Sequence, residues 1–246
     1  MSPKLLVLAA LAASLGFAQR GSPPSAEALS YRVEWGLLTA GKARMDWTAV
    51  QQPPGYQAKL HLETAGLASK VYTVMDDYVV NSNRDMCAVA SQFLSNEGSR
   101  HRDTRITYES KTNKAIYFER DRAKNAVVWC HTIDVPPGVH DVLGALYDLR
   151  TLNLGPGQST QIAITDGKKA AMAKVQAQER ENISVPAGSF KTIRYEIFVF
   201  DNVLYRRSAH LYVWLTDDAR KLPVQIRVKM QIVAIGTITF ELEWHG

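Results

Sequence analysis

Residues 208–230, SAHLYVWLTDDARKLPVQIRVKM, place the tightest constraint on how this chain can fold. Leu211, Val213 and Leu215 alternate with His210, Tyr212 and Trp214. After the polar segment Asp217-Asp218-Ala219-Arg220, Val224, Ile226, Val228 and Met230 alternate with Gln225, Arg227 and Lys229. Successive side chains of a strand point to opposite faces, so a strict period of two specifies two strands with distinct faces, and the short polar link makes them a hairpin. The pattern recurs in Tyr31, Val33 and Trp35; in Ala43, Met45, Trp47 and Ala49; in Ala58, Leu60 and Leu62; in Ile193, Tyr195, Ile197 and Val199; and in Ile238, Phe240, Leu242 and Trp244. Gln52-Pro53-Pro54-Gly55, Asp166-Gly167-Lys168 and Pro186-Ala187-Gly188-Ser189 separate such runs with turn residues. Residues 67–71 read as a helical turn or a strand start, and residues 85–95 as irregular.

One stretch departs from period two. Across residues 139–152, Val142, Ala145, Leu146, Leu149 and Leu152 recur at helical spacing. Pro136-Pro137-Gly138 precedes it, Gly155-Pro156-Gly157 follows it, and His140 or Asp141 stands where an N-cap is needed. Its single apolar stripe predicts a helix lying against one face of a sheet. The fold expected is mainly β: a large curved antiparallel sheet or incomplete barrel of roughly a dozen strands, with one main α-helix packed on it. Residues 29–246 form a single β-rich domain on this reading. Two β lobes meeting near the helix at 139–152 is the alternative.

Lys4 precedes an apolar run from Leu5 to Ala18, and small residues end it. This is the form of a secretory signal peptide over residues 1–18, and the run is too short for the ~20 residues of a membrane span. Residues 19–28 read as a disordered leader. The protein is therefore expected outside the cytoplasm, in the periplasm or secreted. The formal charge of +5 is mild and scattered, which gives no footprint for nucleic acid. The chain has two cysteines, Cys87 and Cys130. In an oxidising compartment they form a disulfide or remain two unpaired thiols, and both readings stay open.

Few residues suggest catalysis. Asp217-Asp218 is a carboxylate pair, but it sits where a hairpin turn favours Asp, with Arg220 at hand to neutralise it. His131, Asp134, His140 and Asp141 flank the Pro-Pro turn without a standard metal-ligand spacing. His101-Arg102-Asp103 matches three letters of a kinase loop whose companion motifs are absent. Phosphate-loop and dinucleotide fingerprints are missing, as is a serine elbow, so no cofactor is expected. Arg100, His101, Arg102 and Arg105 form a basic cluster that reads as a solvated face or as a contact for anionic headgroups. The aromatics Trp35, Trp47, Tyr195, Tyr212 and Trp214 all lie in alternating strands. They are the expected lining of an apolar cavity in the concave face, or else part of a filled aromatic core.

Four segments, in order, resemble a family of exported bacterial proteins, the domain-of-unknown-function 3108 family. They are Tyr31-Arg32-Val33-Glu34-Trp35-Gly36 with Ala40-Gly41; residues 141–150, DVLGALYDLR; Pro186-Ala187-Gly188-Ser189-Phe190-Lys191-Thr192; and Val213-Trp214-Leu215-Thr216-Asp217-Asp218 with Leu222-Pro223-Val224. The resemblance implies a curved sheet similar to periplasmic lipoprotein carriers, whose half-barrels hold acyl chains against helices. It brings no catalytic residues. The expected function is a non-enzymatic envelope protein binding a lipid-like or apolar ligand, with a lipid, a lipoprotein or another envelope component as partner. A scaffold with a filled core is the second reading, and a hydrolase with an unrecognised site the third.

Overall fold

The computed structural model describes residues 20–231 and 236–246, so the expected signal peptide lies outside the described residues. The chain first lays down eight strands as a continuous meander. They are β1 (Ala26–Trp35), β2 (Leu38–Gln51), β3 (Pro54–Thr64), β4 (Met75–Asn83), β5 (Ala88–Glu97), β6 (Arg100–Glu109), β7 (Lys114–Asp121) and β8 (Ala126–Asp134). A short helix, α1 (Gly66–Val71), links β3 to β4. The main helix, α2 (Val142–Thr151), then leads into a second meander: β9 (Ser159–Thr165), β10 (Ala170–Val185), β11 (Gly188–Ile197), β12 (Ala209–Thr216), β13 (Pro223–Met230) and β14 (Thr237–His245).

The last strand returns to the first. β14 pairs antiparallel with β1, for example Val33 opposite Phe240, and this joins the meanders into one fourteen-stranded sheet in the order 8-7-6-5-4-3-2-1-14-13-12-11-10-9. Strands from both sides of the main helix thus belong to one hydrogen-bonded sheet. The hairpin at 208–230 forms with the expected pairing, Val213 opposite Ile226, and its turn spans residues 217–222. Residues 85–95 are corrected: most of them form β5. Ser91 and Ser95 take buried positions there, so polar side chains stand where an alternation of apolar residues would have announced a strand.

The sheet curls without closing, leaving β8 and β9 as its edges. Its two arms touch across the concavity. Ala163 of β9 packs with Ile106, Tyr108, Ala115 and Tyr117 of β6 and β7. The β9–β10 turn makes the closest approach at Gly167, whose φ is +83°. A Cβ there would lie 2.4 Å from Cδ1 of Ile106, so glycine is required on both counts. His140 caps part of the β9 edge, donating its backbone N–H to Ala163 at 2.9 Å and accepting from Thr165 at 3.0 Å.

α2 fills the concavity. Asp141 is its N-cap, with Oδ1 accepting from the amides of Leu143 at 2.7 Å and Gly144 at 2.9 Å. Leu143 and Tyr147 pack with β1–β4, while Ala145 and Leu149 pack with β9–β12. The single-stripe expectation is therefore corrected: α2 is buried nearly all round, because the curled sheet surrounds it. Arg150 is also buried and pairs with Glu27 of β1 at 2.8 Å. β1 begins at Ala26, inside the range expected as the leader. Before it, Arg20 pairs with Asp148 of α2 at 2.6 Å, and the Gly21 amide donates to Thr151 at 2.8 Å.

Candidate ligand cavity

The hairpin strand β12 shows why the concave face holds space. Its alternation sends Leu211 and Val213 inward, and Ile226 and Val228 of β13 follow them. Facing them, α2 offers Val142, Ala145, Leu146 and Leu149. Alanines stand at several of the inward positions: Ala43 on β2, Ala145 on α2 and Ala173 on β10. Small side chains at this depth leave a gap between helix and sheet. The result is an inner cavity of about 310 Å³ whose lining side chains are apolar apart from the phenols of Tyr31 and Tyr205.

A second cavity, of about 380 Å³, adjoins it and shares Leu60, Val142, Leu143 and Tyr205 with it. Its wall is mixed. Leu62, Phe93 and Ile106 are joined there by Asp76, Arg100, Thr104, Asp166 and Lys168. Tyr205 comes from the connection between β11 and β12, which also brings Val199 and Phe200 to the inner cavity. Burial pushes the Tyr205 phenol up to about 12, so it is a neutral hydrogen-bonding group at any physiological pH.

The five aromatics expected to line this space do not do so. Trp47 is buried but packed solid, stacked on Tyr147 of α2 at 3.7 Å and on Tyr56 at 4.8 Å, with its Nε1 donating to the carbonyl of Pro24. Tyr195 is buried among the β9–β12 side chains and donates to the Leu154 carbonyl at 3.1 Å. Tyr212 and Trp214 point away from Val213, to the other side of β12. Trp214 is buried there against Glu181 of β10, which accepts from its Nε1 at 3.3 Å, and the Arg227 guanidinium lies 5.0 Å from its ring. Arg194 lies 5.5 Å from the Tyr212 ring. Trp35, at the end of β1, is 43% exposed. One face of the hairpin thus meets α2 and the cavity, while on the other Trp214 and Gln225 are buried, Tyr212 and Arg227 are half-buried and Lys229 is exposed.

The remaining candidates also separate. Asp217 pairs with Arg180 at 2.7 Å. Partial burial raises Asp218, but hydrogen bonds from Thr216 and Arg220 outweigh it and leave the carboxyl below its usual value. These are fixtures of a turn. His140 faces the Met86 carbonyl at 2.8 Å and Asp141 caps α2, and no group of three metal-ligating side chains occurs among the described residues. Cys87 and Cys130 carry free thiols, Cys87 half-buried before β5 and Cys130 exposed on β8, with β6 and β7 between those strands. The basic cluster splits by strand parity. Arg105 turns outward to Asp103 at 2.9 Å, whereas Arg100 and Arg102 turn inward to Glu119 at 3.3 and 3.2 Å. The sequence reading missed this cavity-side half, together with Lys168 and Tyr205. Period-two parity alone could have separated Arg100 and Arg102 from Arg105.

Fold and cavity together define a class: an open, barrel-like antiparallel sheet wrapped round a central helix, with apolar space between them. The chain belongs to the DUF3108 family, proteins of unknown function, whose sequence profile matches residues 30–243. Among solved structures, it is similar to a β-barrel-like protein of the DUF1849 family from Brucella abortus, with 8% identity, 91% of this chain and 98% of that chain covered, and a TM-score of 0.57. It also aligns with a YmcC-like protein from Bacteroides fragilis, described as exported (10% identity, 93% and 99% covered, TM-score 0.38). A third match is a protein from Parabacteroides distasonis, described as a lipoprotein (12% identity, 92% and 97% covered, TM-score 0.32). The first likeness is one of fold, and the other two are too distant to carry an argument. None of the curated proteins matches the chain in sequence. Among the described residues, no helix is long and apolar enough to cross a membrane.

Proposed function

We propose that this is an exported, non-catalytic binding protein of the cell envelope that holds a lipid-like ligand between α2 and the concave face of its sheet. The observation that carries this reading is the pair of adjoining cavities, about 310 and 380 Å³, which together fall in the range of small-molecule sites. Protein interiors are close-packed, and an unfilled apolar void forfeits dispersion contacts on every side. A ligand chain regains those contacts, and each Å² of apolar surface it removes from water contributes about 25 cal/mol. A scaffold with a filled core would have no reason to keep alanine at Ala43, Ala145 and Ala173 around one gap.

Export rests on the apolar run of residues 5–18, and periplasmic residence is the setting in which such a carrier would meet lipid. The non-catalytic reading is supported by the fate of the polar candidates: the Asp217-Asp218 pair is engaged in its turn, and His140 and Asp141 serve α2 and the β9 edge. The test is native mass spectrometry of the protein purified without detergent. The expected result is a mass increment from a bound amphiphile that is lost on denaturation. A bare polypeptide mass, both as purified and after incubation with a lipid extract, would contradict the proposal.

A further inference from the structure

The charged groups that line the two cavities are gathered at one end. The inner cavity carries no charged side chain, whereas the outer one carries Asp76, Arg100, Asp166 and Lys168. An occupant that fills both must be apolar at one end and polar at the other. Arg100 stands on the first residue of β6 and Lys168 on the β9–β10 turn, so two cations reach the outer cavity from different parts of the sheet.

Glu119 of β7 holds them there. Its Oε1 lies 3.3 Å from Arg100 and 3.2 Å from Arg102, and its Oε2 lies 3.3 Å from Lys168 and accepts from the Tyr117 hydroxyl at 2.6 Å. Three cations thus share one carboxylate, with Asp121 supplying a second for Arg102 and Glu97 lying 3.7 Å from Arg100. Of the acids that line the cavity, Asp76 accepts from the Asn96 amide at 2.8 Å. Asp166 accepts from the amides of Lys168 and Lys169 at 2.8 and 2.9 Å, so both acids serve backbone. The cations keep capacity to spare. Guanidinium has five donor hydrogens and ammonium three, and the Arg100 and Lys168 side chains remain 49% and 36% exposed. The Lys168 ammonium also lies 4.8 Å from the Tyr117 ring and 5.3 Å from the Trp129 ring, which gives the site an aromatic wall.

We propose that Arg100 and Lys168 form a headgroup site at the polar end of the cavity, and that the ligand is a single-chain amphiphile with an anionic head, a carboxylate or a phosphate. The head takes the unused donors of the two cations, and the chain runs past Leu143 and Tyr205 along α2. This deepens the apolar-cavity reading above and rests on it.

The experiment is calorimetric titration of the purified protein with dodecanoate, dodecyl phosphate and dodecan-1-ol, at neutral pH, low salt and concentrations below micelle formation. The expected result is that at least one anion binds about tenfold tighter than the alcohol, the factor carried by one charge-assisted hydrogen bond. Whichever anion binds more tightly names the head. The double variant Arg100→Gln/Lys168→Gln loses the preference and keeps the alcohol's affinity, while Arg105→Gln, on the convex side of the same strand, keeps the preference. Both Arg100 and Lys168 are half-exposed, so their variants retain the fold. Equal affinity for alcohol and anions, or a preference that survives in the double variant, overturns the headgroup site and leaves the cavity reading standing. Failure of all three ligands to bind overturns the cavity reading as well.

Discussion

Asp141 carries two opposed demands. Its Oδ1 satisfies two amides at the start of α2, which favours the ionised form, but the side chain is fully buried, which favours the neutral one. Burial wins and pushes the carboxyl up to about 6. The unfolded chain would bind this proton near pH ~3.9, so the native state holds it more tightly across the interval between. Stability from this group is therefore fully present at acid pH and is lost as pH rises from about 4 through 6. Asn caps helices as well as Asp and has no charge to bury. In Asp141→Asn, urea unfolding at a series of pH values should lose this descending limb and show a gain over the parent, at pH 7 relative to pH 4, of about 1–3 kcal/mol. An unchanged pH slope would mean that the Asp141 carboxyl is not perturbed. The cap itself was legible, because an acidic residue stood between a Pro-Pro-Gly break and a run of helical period. Its burial was not, because nothing local says that a sheet will curl round the helix.

At the scale of elements, alternation was a dependable guide wherever one face meets apolar partners, as in β1–β3 and β12–β14. It failed at β5, whose inward positions include Ser91 and Ser95, and it misjudged α2, whose polar residues Asp148, Arg150 and Thr151 are buried beside its apolar ones. Arg150 finds Glu27 and Asp148 finds Arg20, partners more than a hundred residues away, and such pairings leave no trace in a local pattern. β8 marks the other extreme. From Ala126 to Cys130 every residue is exposed, and the strand is an edge of the sheet. Regions with few buried contacts open locally at low free-energy cost. Hydrogen exchange should therefore release the β8 amides of residues 126–130 well before those of β1, which sits mid-sheet between β2 and β14. Equal protection of the two strands would mean that β8 is covered in solution by something absent here.

For the whole molecule, the order of the sheet explains where the site lies. A return of β14 to β1 makes two meanders one surface, contact between the β9–β10 turn and β6–β7 fixes its curvature, and α2 occupies the hollow without filling it. Cavity position was half legible. The hairpin at 208–230 does border it, but through Leu211 and Val213, whereas Tyr212 and Trp214 lie on the other side. Period two gives two faces and does not say which one is concave. That is decided by the packing of α2, a contact between distant parts of the chain. The choice among aromatics failed for a related reason: Trp47 and Tyr195 fill space, whereas Tyr31, Phe200 and Tyr205 line the cavity beside small residues.

The central claim, that the space along α2 receives an apolar ligand, is tested most directly by uptake of the uncharged fluorophore N-phenyl-1-naphthylamine by the parent protein and by Leu146→Trp. Leu146 is half-buried and borders the inner cavity, so a larger side chain there extends into the cavity. The account predicts saturable, one-to-one fluorescence enhancement with the parent and a loss of at least tenfold in affinity with the variant, while the thermal midpoint is maintained. No enhancement with the parent, or the same affinity in both proteins, would contradict it.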